Sequence, residues 1–235
     1  ILTGDSTYID NTILDGGNAD RVVYFGSGED STSVLDGFTI QNGFRNSSQS
    51  GPLSYAKGAG IAIIDSSPTL NNLIVKNNVN ELWRGYNYDN QGGAVYIHSS
   101  NSILNNIYIL NNTLLGVYQN NCCNSGSYHG GAGLYVFSSD ITLNNLNIAN
   151  NTISNDNGGS YWYSSGGGGI YFRSGTLVIN DSNISNNSSN TNSLDDGGGI
   201  YISAGFLTLD NTTVEYNESV YGGGIYNYSG SLDLL

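Results

Sequence analysis

The feature that most constrains this 235-residue chain is an internal repeat. Glycines followed by an apolar residue recur as GAGIAI, GGAVYI, GAGLYV, GGGIYF, GGGIYI and GGGIYN. Their first apolar residues are Ile61, Val95, Leu134, Ile170, Ile200 and Ile225. Taking each as position zero, Ile63, Ile97, Val136, Phe172, Ile202 and Asn227 stand at plus two. Leu70, Leu104, Leu143, Ile179, Leu209 and Leu234 stand at plus nine, and Val75, Ile109, Ile148, Ile184 and Val214 at plus fourteen. The offsets hold without a slip. A fixed period of this kind is the signature of stacked repeats.

Within each repeat the apolar period is two, which means strands with one face inward. Three such strands are too short to bury their inner faces alone and need stacked neighbours. Two residues separate the second strand from the third: Asn71-Asn72, Asn105-Asn106, Asn144-Asn145, Asn180-Asp181 and Asp210-Asn211. Asn tolerates left-handed backbone and hydrogen-bonds locally, so it suits a tight corner. Stacked Asn side chains can also bond one another from coil to coil. Weaker versions of the repeat come earlier, at Leu35, Phe38 and Ile40 around Asp36-Gly37, and at Ile9 and Leu14 around Asp10-Asn11. The expected fold is all-β, a parallel β-solenoid of about seven coils of three short strands. It forms a single domain over 1–235, with irregular coils in 1–57 and regular glycine-started coils in 58–235.

The glycine-rich starts and the elements Val75…Asn78, Ile109…Asn112, Ile148…Asn151, Ile184…Asn187 and Val214…Asn217 resemble a known family. They are similar to the repeats of the polymorphic outer membrane proteins and related secreted bacterial surface proteins, which are right-handed parallel β-helices. The stretch RVVYFGSGEDSTSVLDGFTIQNG looks like the opening coils of large secreted β-helix proteins. The resemblance implies an extracellular or cell-surface location. It leaves activity open, because β-helices host lyases, hydrolases, adhesins and passenger domains alike.

Between plus fourteen and the next zero the spacing varies, at 20, 25, 22, 16 and 11 residues. Insertions therefore leave one corner, and per-repeat insertions on one face often mark a binding face. They are aromatic, carrying Trp83, Tyr161, Trp162, Tyr163 and Tyr221 among others. Beside them, at plus one, Tyr96, Tyr135, Tyr171, Tyr201 and Tyr226 should form an outward column. Tyr pairs a flat apolar ring with a hydroxyl, which suits sugar faces and protein interfaces. In carbohydrate-active β-helices the groove follows this edge, so the resemblance implies a glycan-facing or assembly surface. The competing expectation is that stacked Tyr rings simply stabilise the coils, with the loops folded down over them.

Chemistry is sparse. His98 and Arg173 stand at plus three in the column Ile64, His98, Phe137, Arg173, Ser203 and Tyr228, and Asp195-Asp196 precede one glycine run. A glycosidase needs two carboxyls at a set separation, and these groups are spread over several coils. Neighbouring Asp residues on a glycine-rich loop are ordinary turn formers. Loop Asp side chains and carbonyls could take Ca²⁺, but no GGxGxD or EF-hand spacing occurs, so no cofactor is expected. Cys122 and Cys123 are adjacent and are the two cysteines of the chain. Oxidation to a disulfide is favoured for an extracellular protein, with bonds to another chain or free thiols as the alternatives. Asn46, Asn111, Asn150, Asn186, Asn187 and Asn217 are glycan acceptor candidates, the last five at one recurring corner.

Nineteen acidic against six Lys and Arg residues give a net charge of −13, which excludes a phosphate-backbone binder. No apolar run is long enough to span a membrane as a helix. No capping helix is legible at either end, so the terminal coils should present open edges. These features point to an extracellular, non-enzymatic solenoid, structural or adhesive, partnered by itself head to tail or by cell-surface glycans. The second expectation is a carbohydrate-binding or polysaccharide-cleaving β-helix built on the Tyr column.

Overall fold

The computed structural model describes residues 6–46, 57–83, 92–117, 129–155, 165–189 and 196–235. The chain is a parallel β-solenoid. Among these residues, three long parallel sheets and one two-stranded parallel sheet run along its axis. We name them by their outward or inward rows.

The tyrosine sheet has seven strands in sequential order: Val23–Phe25, Ile61–Ile64, Val95–His98, Leu134–Phe137, Ile170–Phe172, Ile200–Ile202 and Ile225–Asn227. Its register pairs each position zero with the next, from Ile61 and Val95 to Ile200 and Ile225. The repeat offsets are therefore the hydrogen-bond register itself. The long sheet carries Thr69–Lys76, Ile103–Leu110 and Ser139–Ala149 at its centre. It continues through Gly175–Asn180 and Phe206–Asp210 to Ser231–Leu234. The third, the asparagine sheet, holds Phe44–Asn46, Val79–Trp83, Thr113–Val117, Thr152–Asn155, Ser188–Ser189 and Glu218–Ser219.

Two expectations need correcting. The coils are not seven uniform ones; about three turns are fully regular. In these the two-residue Asn corner does not interrupt the ladder, so the expected second and third strands merge into runs of 8, 8 and 11 residues. Elsewhere the same path is traced in shorter pieces. At the N-terminal side Gly37, at φ 81°, stands between Val34–Asp36 and Thr39–Gln41. The second correction is the asparagine sheet itself, which occupies what reads in the sequence as the start of the insertions. Its inward positions are Asn80, Leu114, Ile153 and Ser189, all buried. Half are polar, so no apolar alternation announces the strand.

The interior is one continuous stack of Ile, Leu and Val from all turns. Ile61, Ile63, Leu70, Leu73 and Val75 are repeated above by Val95, Ile97, Leu104, Ile107 and Ile109, and so on to Leu207 and Leu209. Each inward side chain meets its counterpart one strand spacing away, about 4.8 Å. A coil therefore buries its inner face only against its neighbours.

Left-handed backbone turns the chain at fixed positions. Asn72, Asn106, Asn145, Asp181 and Asn211 have φ from 45° to 56° at the Asn corner. Asn77, Asn111, Asn150 and Asn186 have φ from 54° to 58° at the next. Gly58, Gly92, Gly131, Gly167, Gly197 and Gly222 have φ from 55° to 72° three residues before position zero. Asn and Gly are the residues that take this region at least cost.

Candidate functional site

The outer surface of the tyrosine sheet carries two side-by-side columns. At plus one, the rings of Tyr96, Tyr135, Tyr171, Tyr201 and Tyr226 stack face to face, with centroids 5.5, 5.0, 4.7 and 5.5 Å apart. The structure overturns the exposed reading of this column. Tyr96, Tyr135, Tyr171 and Tyr201 are only 1%, 0%, 2% and 5% exposed, and Tyr226 is half-buried.

The cover is a short parallel ladder outside the sheet, His129–Gly130 with Ser165–Gly166, extended by bridges to Asp196 and Tyr221. Gly130 lies on the Tyr171 ring and Gly166 on the Tyr201 ring, and a Cβ at either would run into the ring. Burial pushes the Tyr135 and Tyr201 hydroxyls above the ordinary tyrosine range, with the neighbouring Tyr171 adding to each. Buried and stacked, these rings form a continuous spine along the sheet. Of the aromatic insertions, the Trp83 side chain and Trp162 lie outside the described residues, as do Tyr161 and Tyr163.

At plus three the column is half-buried and open to solvent. The His98 and Phe137 rings stack at 4.9 Å, and the Arg173 guanidinium sits 4.4 Å above the other face of Phe137. Lys57, which no sequence pattern groups with them, places its ammonium 5.0 Å from the Tyr96 ring. Desolvation lowers the His98 pKa below 6.5; the Lys57 charge lowers it further, Asp65 opposes, and Arg173 lowers it again. Among the described residues, two cations and one carboxylate act on His98. At the N-terminal turn the cations are differently engaged. Arg45 pairs with Asp20 at 2.7 Å, while Arg21 donates to the Lys57 and Gly58 carbonyls, and burial holds its pKa down at about 10.

His98 and Arg173 thus share a column, whereas Asp196 lies in the cover at the opposite end of the strand. The structure does not bring them together. Asp195 lies outside the described residues. Among the described residues no group of three or more His, Cys, Asp or Glu side chains could hold a metal ion. Cys122 and Cys123 lie outside the described residues.

The glycan-acceptor candidates separate by one position. Asn111, Asn150 and Asn186 are exposed and form a row with Asn77. Asn46 ends the strand Phe44–Asn46 and is half-buried. Asn187 and Asn217 are corrected: they belong to an internal ladder. Asn187 Oδ1 accepts from Asn151 N and Nδ2 at 3.0 Å, and Asn217 Oδ1 accepts from Asn187 N at 2.9 Å and Nδ2 at 3.0 Å. A fully buried, doubly bonded amide such as that of Asn187 has no face for a glycan.

The ladder runs from Asn78 through Asn112 and Asn151 to Asn217. Glycine makes room for it: a Cβ on Gly60, Gly169 or Gly199 would press on the amide of Asn78, Asn187 or Asn217. The expected outer ladder is present as well, with Asn105 donating to Asn71, Asn144 to Asn105 and Asn180 to Asn144 at 2.8–2.9 Å. Within the described residues no helix is long and apolar enough to cross a membrane. No family model, curated protein or solved structure matches the chain, so these geometries stand on their own.

Proposed function

We propose that the protein is an extracellular, non-enzymatic β-solenoid with a structural or adhesive job, partnered by itself or by cell-surface glycans. The observation that carries this reading is the unbroken stack, in which one apolar core and one internal Asn ladder run from turn to turn as a rigid scaffold. A short helix, Ser6–Asn11, lies over the N-terminal turns; its Ile9 is buried, and the Ile9 carbonyl accepts from Thr39 Oγ1 at 2.8 Å. At the other end Val214, Ile225 and Leu232 continue the core row only half-covered, and Leu234 is 66% exposed.

The extracellular placement rests on the exposed row Asn111, Asn150 and Asn186 and on the resemblance of the coils to polymorphic outer membrane protein repeats. Light scattering during gel filtration, followed by electron microscopy, tests the association. Species larger than the 24.9 kDa chain are expected. Monomers at every concentration would defeat self-association.

A second reading, binding of surface glycans, keeps a specific support. With the Tyr column covered, its platform becomes the neighbouring column of His98, Phe137 and Arg173.

A further inference from the structure

We infer that the outward column of His98, Phe137 and Arg173, with Lys57 beside it, is a binding site for an acidic saccharide chain lying along the solenoid axis. The inference rests on the glycan-binding reading and adds the charge and the direction of the ligand.

Charge comes first. The chain has six Lys and Arg residues and two His against nineteen acids. Three of those eight basic side chains stand together here, with Asp65 as the carboxylate that acts on His98. On a surface of net −13 that repels anions elsewhere, such a cluster is where an anionic ligand meets a complementary charge.

Rigidity comes second. Arg173 N donates to the Val136 carbonyl at 2.8 Å, fixing its backbone in the column, and its guanidinium carbon lies 4.4 Å from the Phe137 centroid. A guanidinium held in place in this way offers the planar geometry that matches a carboxylate or sulfate. Less side-chain freedom is then lost on binding.

Shape comes third. His98 pairs with Phe137 across adjacent strands, and Arg173 follows on the next. At about 4.8 Å per strand the donors lie on a line parallel to the axis. A line of donors with aromatic edges between them suits a chain of linked sugars better than a single small ion. The adjoining Tyr column, closed by its glycine cover, gives this line a firm wall.

The test measures binding of the intact protein to polygalacturonate, dextran sulfate and neutral dextran at low and moderate salt. At least one anionic chain should bind while neutral dextran does not, and salt should weaken the binding. Whichever polyanion is preferred tells whether the recognised group is a carboxylate or a sulfate. Arg173→Gln should weaken binding about tenfold, as expected for loss of one charge-assisted fork. His98→Gln is the second variant should Arg173→Gln misfold. Lys76→Gln, in the long sheet, should change little.

Equal binding of neutral dextran would overturn the charge requirement and leave the glycan reading standing. No binding of any of the three would remove both. Equal losses for Lys76→Gln and Arg173→Gln would show a diffuse electrostatic contact and overturn the site.

Discussion

Asn150 and Asn151 are neighbours in the chain with opposite tasks. Asn150 is exposed at φ 58° and turns the corner. Asn151 is fully buried, and its Oδ1 accepts from the backbone and side chain of Asn112 while its Nδ2 donates to Ile109 O and Asn187 Oδ1. Removing a partner that leaves buried donors unsatisfied costs the desolvation of each. Asn151→Ala should therefore lower stability by about 2–4 kcal/mol in urea unfolding, and Asn150→Ala by about 1 kcal/mol, the cost of an alanine in left-handed backbone. Equal effects would refute the division of labour. His98 gives a pH prediction. Its folded pKa lies below 6.5, so the unfolded chain binds more protons and stability falls as pH drops through 6.5. A melting curve of His98→Phe over about pH 5 to 8 should show a flatter dependence than the parent; an unchanged slope would place the pH sensitivity elsewhere.

The tyrosine sheet and its glycine cover act as one element. Offset stacking of aromatic rings adds to the burial of their area, and here the rings repeat at the strand spacing. Tyr135→Ala should cost about 3–5 kcal/mol, as for other large aromatic truncations. Tyr135→Phe should cost less than about 1 kcal/mol, since the ring and its stacking stay in place. Nitration by tetranitromethane should reach Tyr108, Tyr216 and Tyr228, which are exposed, and spare Tyr135 and Tyr171. In Gly130→Ala the added Cβ displaces the cover from Tyr171, so Tyr171 should become reactive; continued protection would mean that something else shields the ring. Period two at zero, plus one and plus two placed the Tyr side chains outside the core, and the structure agrees. Their burial was not legible, because alternation reports which side of a sheet a residue occupies. Whether another segment lies over that side depends on His129–Gly130, Ser165–Gly166 and Asp196, none of which carries an apolar pattern.

For the whole molecule, stability is shared along the axis, since each turn buries its inner face against the next. The sequence by itself determined the parallel β-solenoid, its hydrogen-bond register and the left-handed corners. Those depend on local backbone preference and on apolar residues returning at fixed offsets, both of which are written in order along the chain. Tertiary structure alone decided that the Tyr column is covered and that Asn187 and Asn217 join an internal ladder while Asn186 stays outside. It also decided that Lys57 joins His98 and Arg173. Each of these depends on what lies beside a residue one or more turns away, and a polar side chain gives no sign in sequence of whether its partner is water or another coil.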